Sequence, residues 1–317
     1  MRPCDLSILI PARNEEFLVR TIQDILDNIE ADTEVIAVLD GYWPNPGIPI
    51  HDRVTVLHLG EAVGQRAATN FAARLARGKY LMKVDAHCSF DKGFDRKMID
   101  EMHDDWTMVP TMKNLHAFDW VCECGERKYQ DKGGTCKCGK QMTKDIKWLA
   151  KKRPNSNSYC FDSTPHFQYF GEYNKRPEGK GDLTETMSLQ GSCFMCTKDK
   201  YWELNLSDET LGNWGNQGIE VACKTWLSGG KCMVNHKTWY SHMFRTKQVN
   251  DFGFPWPISG KETQKTRNKV KALFWNNNNY KYPLSWLVER FWPVKGWDER
   301  SLEEIKTNQN NDNKKTT

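Results

Sequence analysis

The chain has 317 residues, a formal net charge of +4 and 12% aromatic residues, so it can bury a sizeable core as one large domain or one domain with attachments. The mild charge permits a polyanionic partner but gives no argument for a dedicated nucleic-acid-binding protein, which usually concentrates basic residues on one face. No apolar run approaches the roughly 18 residues that span a bilayer, and the first residues show no charged and apolar leader, so we expect a soluble, cytoplasmic protein without a membrane segment.

The first 110 residues alternate between strand-like and helix-like segments. Apolar runs predict strands at residues 6–10, 34–39, 54–59, 79–84 and 107–110. Apolar residues at helical spacing predict helices at residues 15–29, 64–77 and 94–103. Strands that alternate with helices favour a parallel, doubly wound sheet.

The alternation stops at residues 111–165, which are polar, rich in Lys and interrupted by Cys and Gly, so we interpret them as an insertion. Regular patterning resumes at residues 186–196. Further elements are predicted as a helix at 218–227, strands at 231–235 and 238–244, and helices at 261–275 and 284–291. No apolar residue follows Ile305, which predicts disorder after it. The predicted units are therefore 1–110, 111–165, 166–250, 251–305 and a disordered tail at 306–317.

Asp85 and His87 directly follow the fourth predicted strand. Ligands of open α/β sheets lie beyond the carboxyl ends of strands, and a carboxylate beside an imidazole suits a divalent metal there. His242, on a late strand-like segment, is the candidate third ligand. The alternative is that Asp85 caps a loop and that His87 is an ordinary surface histidine.

Two short-spaced cysteine pairs lie within the insertion, and each is followed by a glycine. Eleven residues separate the pairs, which are Cys122 with Cys124 and Cys136 with Cys138. Four thiolates on two turns fit a closed, tetrahedral, structural Zn²⁺ site. Paired redox thiols, or no shared role, are the alternatives. The other seven cysteines are scattered.

Basic residues form two groups, one around the cysteine pairs and one in the aromatic C-terminal region. The groups are Lys140, Lys144, Lys147, Lys151, Lys152 and Arg153, and Lys261, Lys265, Arg267, Lys269 and Lys271. With the aromatic residues nearby, these side chains could form a groove for a polyanion such as DNA. A solvated Lys-rich surface is the alternative.

Several strings together resemble the family 2 glycosyltransferases with the GT-A fold, and in particular the polypeptide N-acetylgalactosaminyltransferases. These strings are Ser7 to Glu15, Asp40, Gly64 to Asn70, Asp85 to Cys88, Trp214 to Glu220 and His242 to Arg245. The resemblance implies an α/β, Rossmann-like fold with a mostly parallel sheet. To this the sequence adds the zinc-ribbon insertion and a C-terminal helical extension.

The same resemblance implies a metal-dependent transfer of sugar from a UDP-sugar to an acceptor hydroxyl. It places Mn²⁺ or Mg²⁺ on Asp85, His87 and His242. It assigns nucleotide-sugar binding to Pro11, Asn14, Glu15, Asp40, Arg66, Asp85 and Trp214. Arg245 would add positive charge near the diphosphate, and Trp214 would cover the donor, with core packing as its alternative role.

Thr69 stands where the family usually has Arg, and two further departures from the family pattern bear on the mechanism. Gln217 replaces the first acid of the Trp-Gly segment, and Gly218 stands where inverting family 2 enzymes carry their base. Gln cannot take a proton at neutral pH, so Gln217 can only orient or hydrogen-bond, and Glu220 is the nearest acid. A retaining mechanism needs no strong enzymic base, so the sequence leaves stereochemistry open and leans towards retention.

Residues Gln190 to Met195 and the run from Pro283 are similar to glycosyltransferases encoded by tailed bacteriophages. This similarity implies a macromolecular acceptor such as 5-hydroxymethylpyrimidine in phage DNA, with the host cytoplasm as the location. Protein, polysaccharide and lipid-linked glycan acceptors remain alternatives. So does a degenerate transferase that only binds nucleotide-sugar or nucleic acid. The sequence does not fix the sugar or the oligomeric state.

Overall fold

A computed structural model describes residues 3–244, 259–276 and 279–313. The strands are β1 (Cys4–Ala12), β2 (Thr33–Asp40), β3 (Val54–Leu59), β4 (Gly78–Val84), β5 (Cys88–Phe90), β6 (Trp106–Val121), β7 (Arg127–Tyr129), β8 (Thr143–Ser156), β9 (Tyr159–Phe161), β10 (Phe167–Tyr169), β11 (Leu183–Glu185), β12 (Cys193–Thr197) and β13 (Lys231–His242). The helices are α1 (Leu18–Asn28), α2 (Gln65–Leu75), α3 (Phe94–Asp100), α4 (Lys198–Glu203), α5 (Gln217–Leu227), α6 (Gly260–Trp275), α7 (Leu284–Arg290) and α8 (Glu299–Asn313). None of the helices in these ranges has the length and apolar composition that a membrane-spanning segment requires.

Eleven strands form one sheet in the order β11-β13-β6-β12-β4-β1-β2-β3, with β5 beside β13 and with β7 and β8 beside β6. Strands β1 to β4 pair in parallel, which confirms the predicted α/β class. The other half is mixed, because β12 runs antiparallel to β4 and β6 and β8 runs antiparallel to β6. The expectation of a mostly parallel sheet therefore holds for the first four strands and for the parallel pair of β13 and β6, whereas the remaining pairs of this sheet are antiparallel.

Most of the parallel half is buried, as is typical of parallel strands that helices cover. All eight residues of β2 are buried, whereas the edge strand β3 has no fully buried residue. Ala68, Ala72 and Ala73 of α2 are completely buried, and their small side chains let the helix pack closely on β1 and β2. This packing fixes the strand ends at which the candidate site lies.

The predicted insertion largely continues the sheet. Strand β6 does not end at residue 110 but runs through Val121, turns, and pairs with β8 as a long hairpin. We call residues 111–156 the arm. Its base packs on the sheet through a cluster, which we call the foot, made of Phe17, Leu115, Ala117, Phe118, Trp148 and Met243.

The C-terminal extension is helical, as the sequence predicted. Helix α8 extends to Asn313, so the predicted disorder from residue 306 is wrong for the described part of the tail. The helix is anchored where Ile305 is buried and where Ser285 Oγ donates to Gln309 Oε1 at 2.9 Å. A polar anchor of this kind leaves no apolar signal in the sequence. Residues 314–317 lie outside the described range.

Candidate active site

A cavity of about 560 Å³ opens at the carboxyl ends of β1, β2 and β4. The predicted site residues that line it are Pro11, Glu15, Asp40, Asp85, His87, Trp214, Gln217, Gly218 and His242. Asn14, Arg66 and Glu220 do not line the cavity. Arg245 lies outside the described residues. The structure thus brings together residues that are up to 231 positions apart in the sequence.

Asp85, His87 and His242 form a compact triad, with one ligand atom from each within 4.8 Å of the others. His242 Nε2 lies 3.4 Å and His87 Nε2 lies 3.9 Å from Asp85 Oδ2. The Nδ1 atom of His87 donates to Glu15 Oε2 at 3.3 Å, which leaves Nε2 facing Asp85. An outer carboxylate that orients a ligand histidine in this way is typical of metal sites.

The charge state of the triad also suits a cation. Burial alone would raise the pKa of Asp85, but the adjacent Lys83 ammonium, with His242 and His87, holds it well below its usual range. Burial lowers the pKa of His242 to about 4, so its imidazole is neutral at pH 7. Both ring nitrogens of His242 are buried, and neither has a hydrogen bond of good geometry among the described residues, although Nε2 lies 3.4 Å from Asp85 Oδ2. A metal ligated there would satisfy one of them.

Asp40 organises the loop that leads into α2. Its carboxylate accepts hydrogen bonds from the backbone amides of Val63 at 2.6 Å and Gly64 at 3.1 Å. Gly64 has a φ of +94°, and a Cβ there would stand 2.6 Å from the Asn213 side chain, so glycine is needed. The loop delivers Gln65, whose Nε2 donates to Asp85 Oδ1 at 3.3 Å.

Glu220 was the predicted acid, yet it is fully buried away from the cavity. Its Oε2 accepts from Arg66 Nε at 2.8 Å, and its Oε1 accepts from Lys224 Nζ at 3.0 Å and from the Asp208 amide at 2.9 Å. A carboxylate held by three donors inside the protein cannot reach an acceptor hydroxyl. Glu220 is therefore a structural anchor in this arrangement.

Arg66 also differs from the expectation that it binds nucleotide. Its guanidinium donates to the carbonyls of Gly212 at 2.8 Å and Gly215 at 2.6 Å, on either side of Trp214. Arg66 thus joins Glu220 to the loop that carries Trp214. Its contribution to the cavity is to hold that loop in place.

Gln217 and Gly218 begin α5 at the cavity wall. Gln217 Nε2 donates to Ser207 Oγ at 3.1 Å, while its Oε1 is buried without a partner among the described residues. A Cβ on Gly218 would lie 2.0 Å from the Leu189 carbonyl oxygen. No side chain fits at position 218 while that carbonyl stays in place.

Sequence reasoning missed three charged residues at or beside the cavity, which are Arg13, Lys83 and Arg267. Lys83 is a cation between the apolar residues Met82 and Val84 at the end of a strand, and that was an available signal. Its buried ammonium contacts Asp85 Oδ1 and donates to the Gly191 carbonyl at 2.7 Å. Arg267 lines the cavity from α6 and was grouped only with the surface lysines.

The four arm cysteines form a second cluster, with their sulfur atoms within 4.8 Å of one another. The Sγ atoms of Cys122 and Cys138 lie 3.5 Å apart, as do those of Cys124 and Cys136. Tetrahedral Zn–S bonds of about 2.3 Å would separate the sulfurs by about 3.8 Å, so the cluster fits zinc. Hydrogen bonding from the Cys138 amide lowers the pKa of Cys136 to about 7, whereas burial and contacts with neighbouring thiols raise the pKa of Cys122, Cys124 and Cys138, so Cys136 is the thiol that ionises most readily.

Residues 7–119 match the family model described as glycosyl transferase family 2. The chain is 22% identical over 293 residues to polypeptide N-acetylgalactosaminyltransferase 14 of Homo sapiens, covering 87% of this chain and 46% of that protein. It is 24% identical over 284 residues to polypeptide N-acetylgalactosaminyltransferase 3 of Taeniopygia guttata, covering 84% of this chain and 41% of that protein. The chain spans less than half the length of these relatives.

Solved structures show the same likeness. The structure of GalNAc-T7 with UDP, GalNAc and Mn²⁺ superimposes with a TM-score of 0.62 at 16% identity, covering 97% of this chain and 55% of that one. S. aureus TarS 1–349 with UDP-GlcNAc gives a TM-score of 0.55 at 13% identity, covering 90% of this chain and 71% of that one. The fold is therefore the GT-A fold, and the chain is similar to glycosyltransferases both in its matched residues 7–119 and in its relatives. Within that class it resembles the polypeptide N-acetylgalactosaminyltransferases, which confirms the resemblance found in the sequence strings.

Proposed function

We propose that the chain transfers a sugar from a UDP-sugar to an acceptor hydroxyl and that a divalent cation held by Asp85, His87 and His242 supports the transfer. The observation that carries this proposal is the buried, neutral imidazole of His242 at 3.4 Å from the ionised Asp85 carboxylate in the cavity. Bound Mn²⁺ or Mg²⁺ would supply the charge that a departing diphosphate needs. GalNAc-T7, with UDP and Mn²⁺ in its structure, supports the same donor and metal.

The remaining cavity residues would bind and orient the donor. Asp40 lines the cavity where the sequence resemblance places a uracil-binding Asp, and it also sets the loop before α2. Trp214 lines the cavity between the two glycines whose carbonyls Arg66 holds. A large aromatic side chain on a fixed loop can cover the donor and exclude water from it.

Among the described residues at the start of α5, no carboxylate is placed to accept the proton of the acceptor hydroxyl. Glu220 is engaged by Arg66 and Lys224, and Gly218 has no room for a side chain. We therefore propose a retaining reaction in which the departing phosphate takes the proton. Proton NMR of the first-formed product tests this, because an inverted anomeric configuration would require a base elsewhere in the cavity.

A macromolecular acceptor is the second part of the proposal, and the arm supports it. Residues 111–156 carry 11 Lys and Arg against five Asp and Glu, so the rest of the chain is net negative. Lys151, Lys152 and Arg153 are exposed and form no ion pair with another described residue, and exposed Leu149 and Tyr129 lie close by. A basic surface with an exposed aromatic side chain fits a polyanion such as DNA.

Hydroxymethylated DNA, a protein and a glycan can be compared directly as acceptors. Each is incubated with a panel of UDP-sugars, and products are identified by mass spectrometry of nucleosides, peptides and glycans. A glycosylated 5-hydroxymethylpyrimidine would support the DNA acceptor. An unchanged nucleoside profile together with a glycosylated protein or glycan would favour the protein or glycan over DNA as the acceptor.

We also propose that the four arm cysteines bind structural Zn²⁺. The two turns are equivalent, since the Gly125 amide donates to the Cys122 carbonyl and the Gly139 amide donates to the Cys136 carbonyl, each at 2.9 Å. Metal analysis of the purified protein should give one zinc per chain. Cys124→Ser should lose that zinc, whereas Cys4→Ser, at a cysteine outside the cluster, should keep it.

The enzyme proposal is tested by measuring UDP release from UDP-sugars with and without Mn²⁺. Asp85→Asn should abolish release and Mn²⁺ binding measured by electron paramagnetic resonance. Asp104→Asn, which removes an exposed acid, should change neither. UDP binding without release from any UDP-sugar would favour the degenerate binding protein instead.

A further inference from the structure

Arg267 lies on helix α6 of the C-terminal extension, beyond the residues that match the family model. Arg267 and Thr263 are one helical turn apart, and both line the cavity that contains Asp85 and His242. Helix α6 therefore presents a permanent positive charge to the cavity that contains the metal triad.

The position of α6 is fixed by its packing on the segment before α5. Thr266 is buried, and its Oγ1 lies 2.8 Å from where a Cβ on Gly212 would stand. Lys269 Nζ donates to the Thr210 carbonyl, and Val270 is fully buried. A side chain on a packed helix is held more precisely than one on a free loop.

The hydrogen bonds of Arg267 are incomplete. Its Nη1 donates to Gln264 Oε1 at 2.9 Å. Its Nε is buried and has no hydrogen-bond partner among the described residues. A buried donor without an acceptor is costly, so a ligand that supplies an acceptor there gains affinity.

The carboxylates of the cavity do not neutralise this guanidinium. Glu15 contacts His87, Asp40 accepts from two loop amides, and Asp85 contacts Lys83. Among the described residues, no ion pair joins any of the three to Arg267. The cavity thus contains an arginine whose charge is available to an anion.

We propose that Arg267 binds the diphosphate of the nucleotide-sugar, as a second cationic group in addition to the metal. A guanidinium offers a planar pair of donors that matches phosphate oxygens. It would hold the leaving group and stabilise the charge that develops on it, while no bond to Arg267 forms or breaks. This inference rests on the proposed donor.

Titration calorimetry of UDP and of uridine, both with Mn²⁺ present, tests the assignment. Arg267→Gln should weaken UDP binding about ten- to a hundred-fold and leave uridine binding unchanged, because only UDP carries phosphate. Arg267→Lys keeps the positive charge but loses the planar pair of donors, so its UDP affinity should lie between those of the wild type and Arg267→Gln. Lys265→Gln removes a charge from the exposed face of the same helix and should bind UDP like the wild type.

The outcomes separate this inference from the proposed function. The assignment would be overturned if the wild type binds UDP and Arg267→Gln binds it with equal affinity and has equal thermal stability. The proposed UDP-sugar donor would then remain supported. An equal loss of uridine binding would also overturn the assignment, since that would show general damage to the cavity. Wild-type protein that binds no UDP would overturn both proposals.

Discussion

The carbonyl oxygen of Leu189 occupies the space that a side chain on Gly218 would need. A Cβ on Gly218 would lie 2.0 Å from that oxygen and 3.0 Å from the Gly191 amide nitrogen. The start of α5 is thus packed against the loop before β12 at the position where the sequence comparison expected a catalytic acid. The missing acid is a consequence of packing, since an Asp at 218 could not be accommodated without moving the loop.

Gly218→Ala should therefore destabilise the protein. The added methyl group has to displace the backbone of residues 189–191, and overpacking of this kind typically costs about 1 to 3 kcal/mol. Urea unfolding measures the change. Gly171→Ala is the matched control, because nothing lies within 4 Å of its Cβ position, and it should change stability little. Equal stability of the two variants would contradict the packing argument.

The main effect of Glu220→Gln should be a loss of stability. Removing the carboxylate leaves the buried Arg66 guanidinium without its counter-charge, and breaking a buried pair in this way costs about 3 to 5 kcal/mol. The double variant Arg66→Met with Glu220→Gln should be less destabilised than the sum of the single variants, because no unpaired Arg remains. Full stability of Glu220→Gln with complete loss of UDP release would instead support a catalytic role for Glu220.

Asp24 should make stability depend on pH. Burial raises its pKa to about 6, against about 3.9 in an unfolded chain. Between these values the folded state holds a proton that the unfolded state has lost, so stability falls as pH rises from about 4 to 6 and then levels off. Two pKa units correspond to at most about 3 kcal/mol.

Urea unfolding of wild type and Asp24→Asn between pH 4 and 8 checks this dependence. The variant keeps an oxygen that can accept from the Phe90 amide or from Trp148 Nε1, yet it cannot ionise. It should lose the slope between pH 4 and 6 and gain stability at pH 7. A slope that persists unchanged in Asp24→Asn would assign the titration to another group.

Local patterns explain why much of the fold and the metal triad could be predicted. Strands β1 to β4 are short apolar runs, and Asp85 and His87 follow one of them directly, so short-range spacing was sufficient. Strand β6 was predicted too short, because its second half contains many polar residues and is held as a strand by pairing with β7, β8 and β13.

Long-range partners explain the rest. Glu220 lies in the expected string, but its main partner Arg66 is 154 residues away, and only the fold shows that the two are buried together. Arg267 could not be separated from the neighbouring surface lysines by sequence, because its place in the cavity depends on how α6 packs on the segment before α5.

Phe17 connects the arm to the metal triad. It packs in the foot against Phe118 and Trp148, with ring centroids 6.1 Å and 5.5 Å away. It lies two residues after Glu15, the partner of His87, while Met243 of the same cluster directly follows His242. The foot therefore holds both chain segments that orient the imidazoles.

Phe17→Ala should weaken Mn²⁺ binding although Phe17 is not a ligand. Loss of a buried Phe typically costs about 3 to 5 kcal/mol of stability, and loosened support of ligands typically costs about ten-fold or more in metal affinity. Electron paramagnetic resonance gives the Mn²⁺ affinity, and Trp43→Ala, at a side chain 66% exposed, is the control that should leave it unchanged. Phe17→Leu, which refills most of the space, should restore part of the affinity. If Phe17→Ala bound Mn²⁺ like the wild type at a temperature where it is folded, the arm would be independent of the triad.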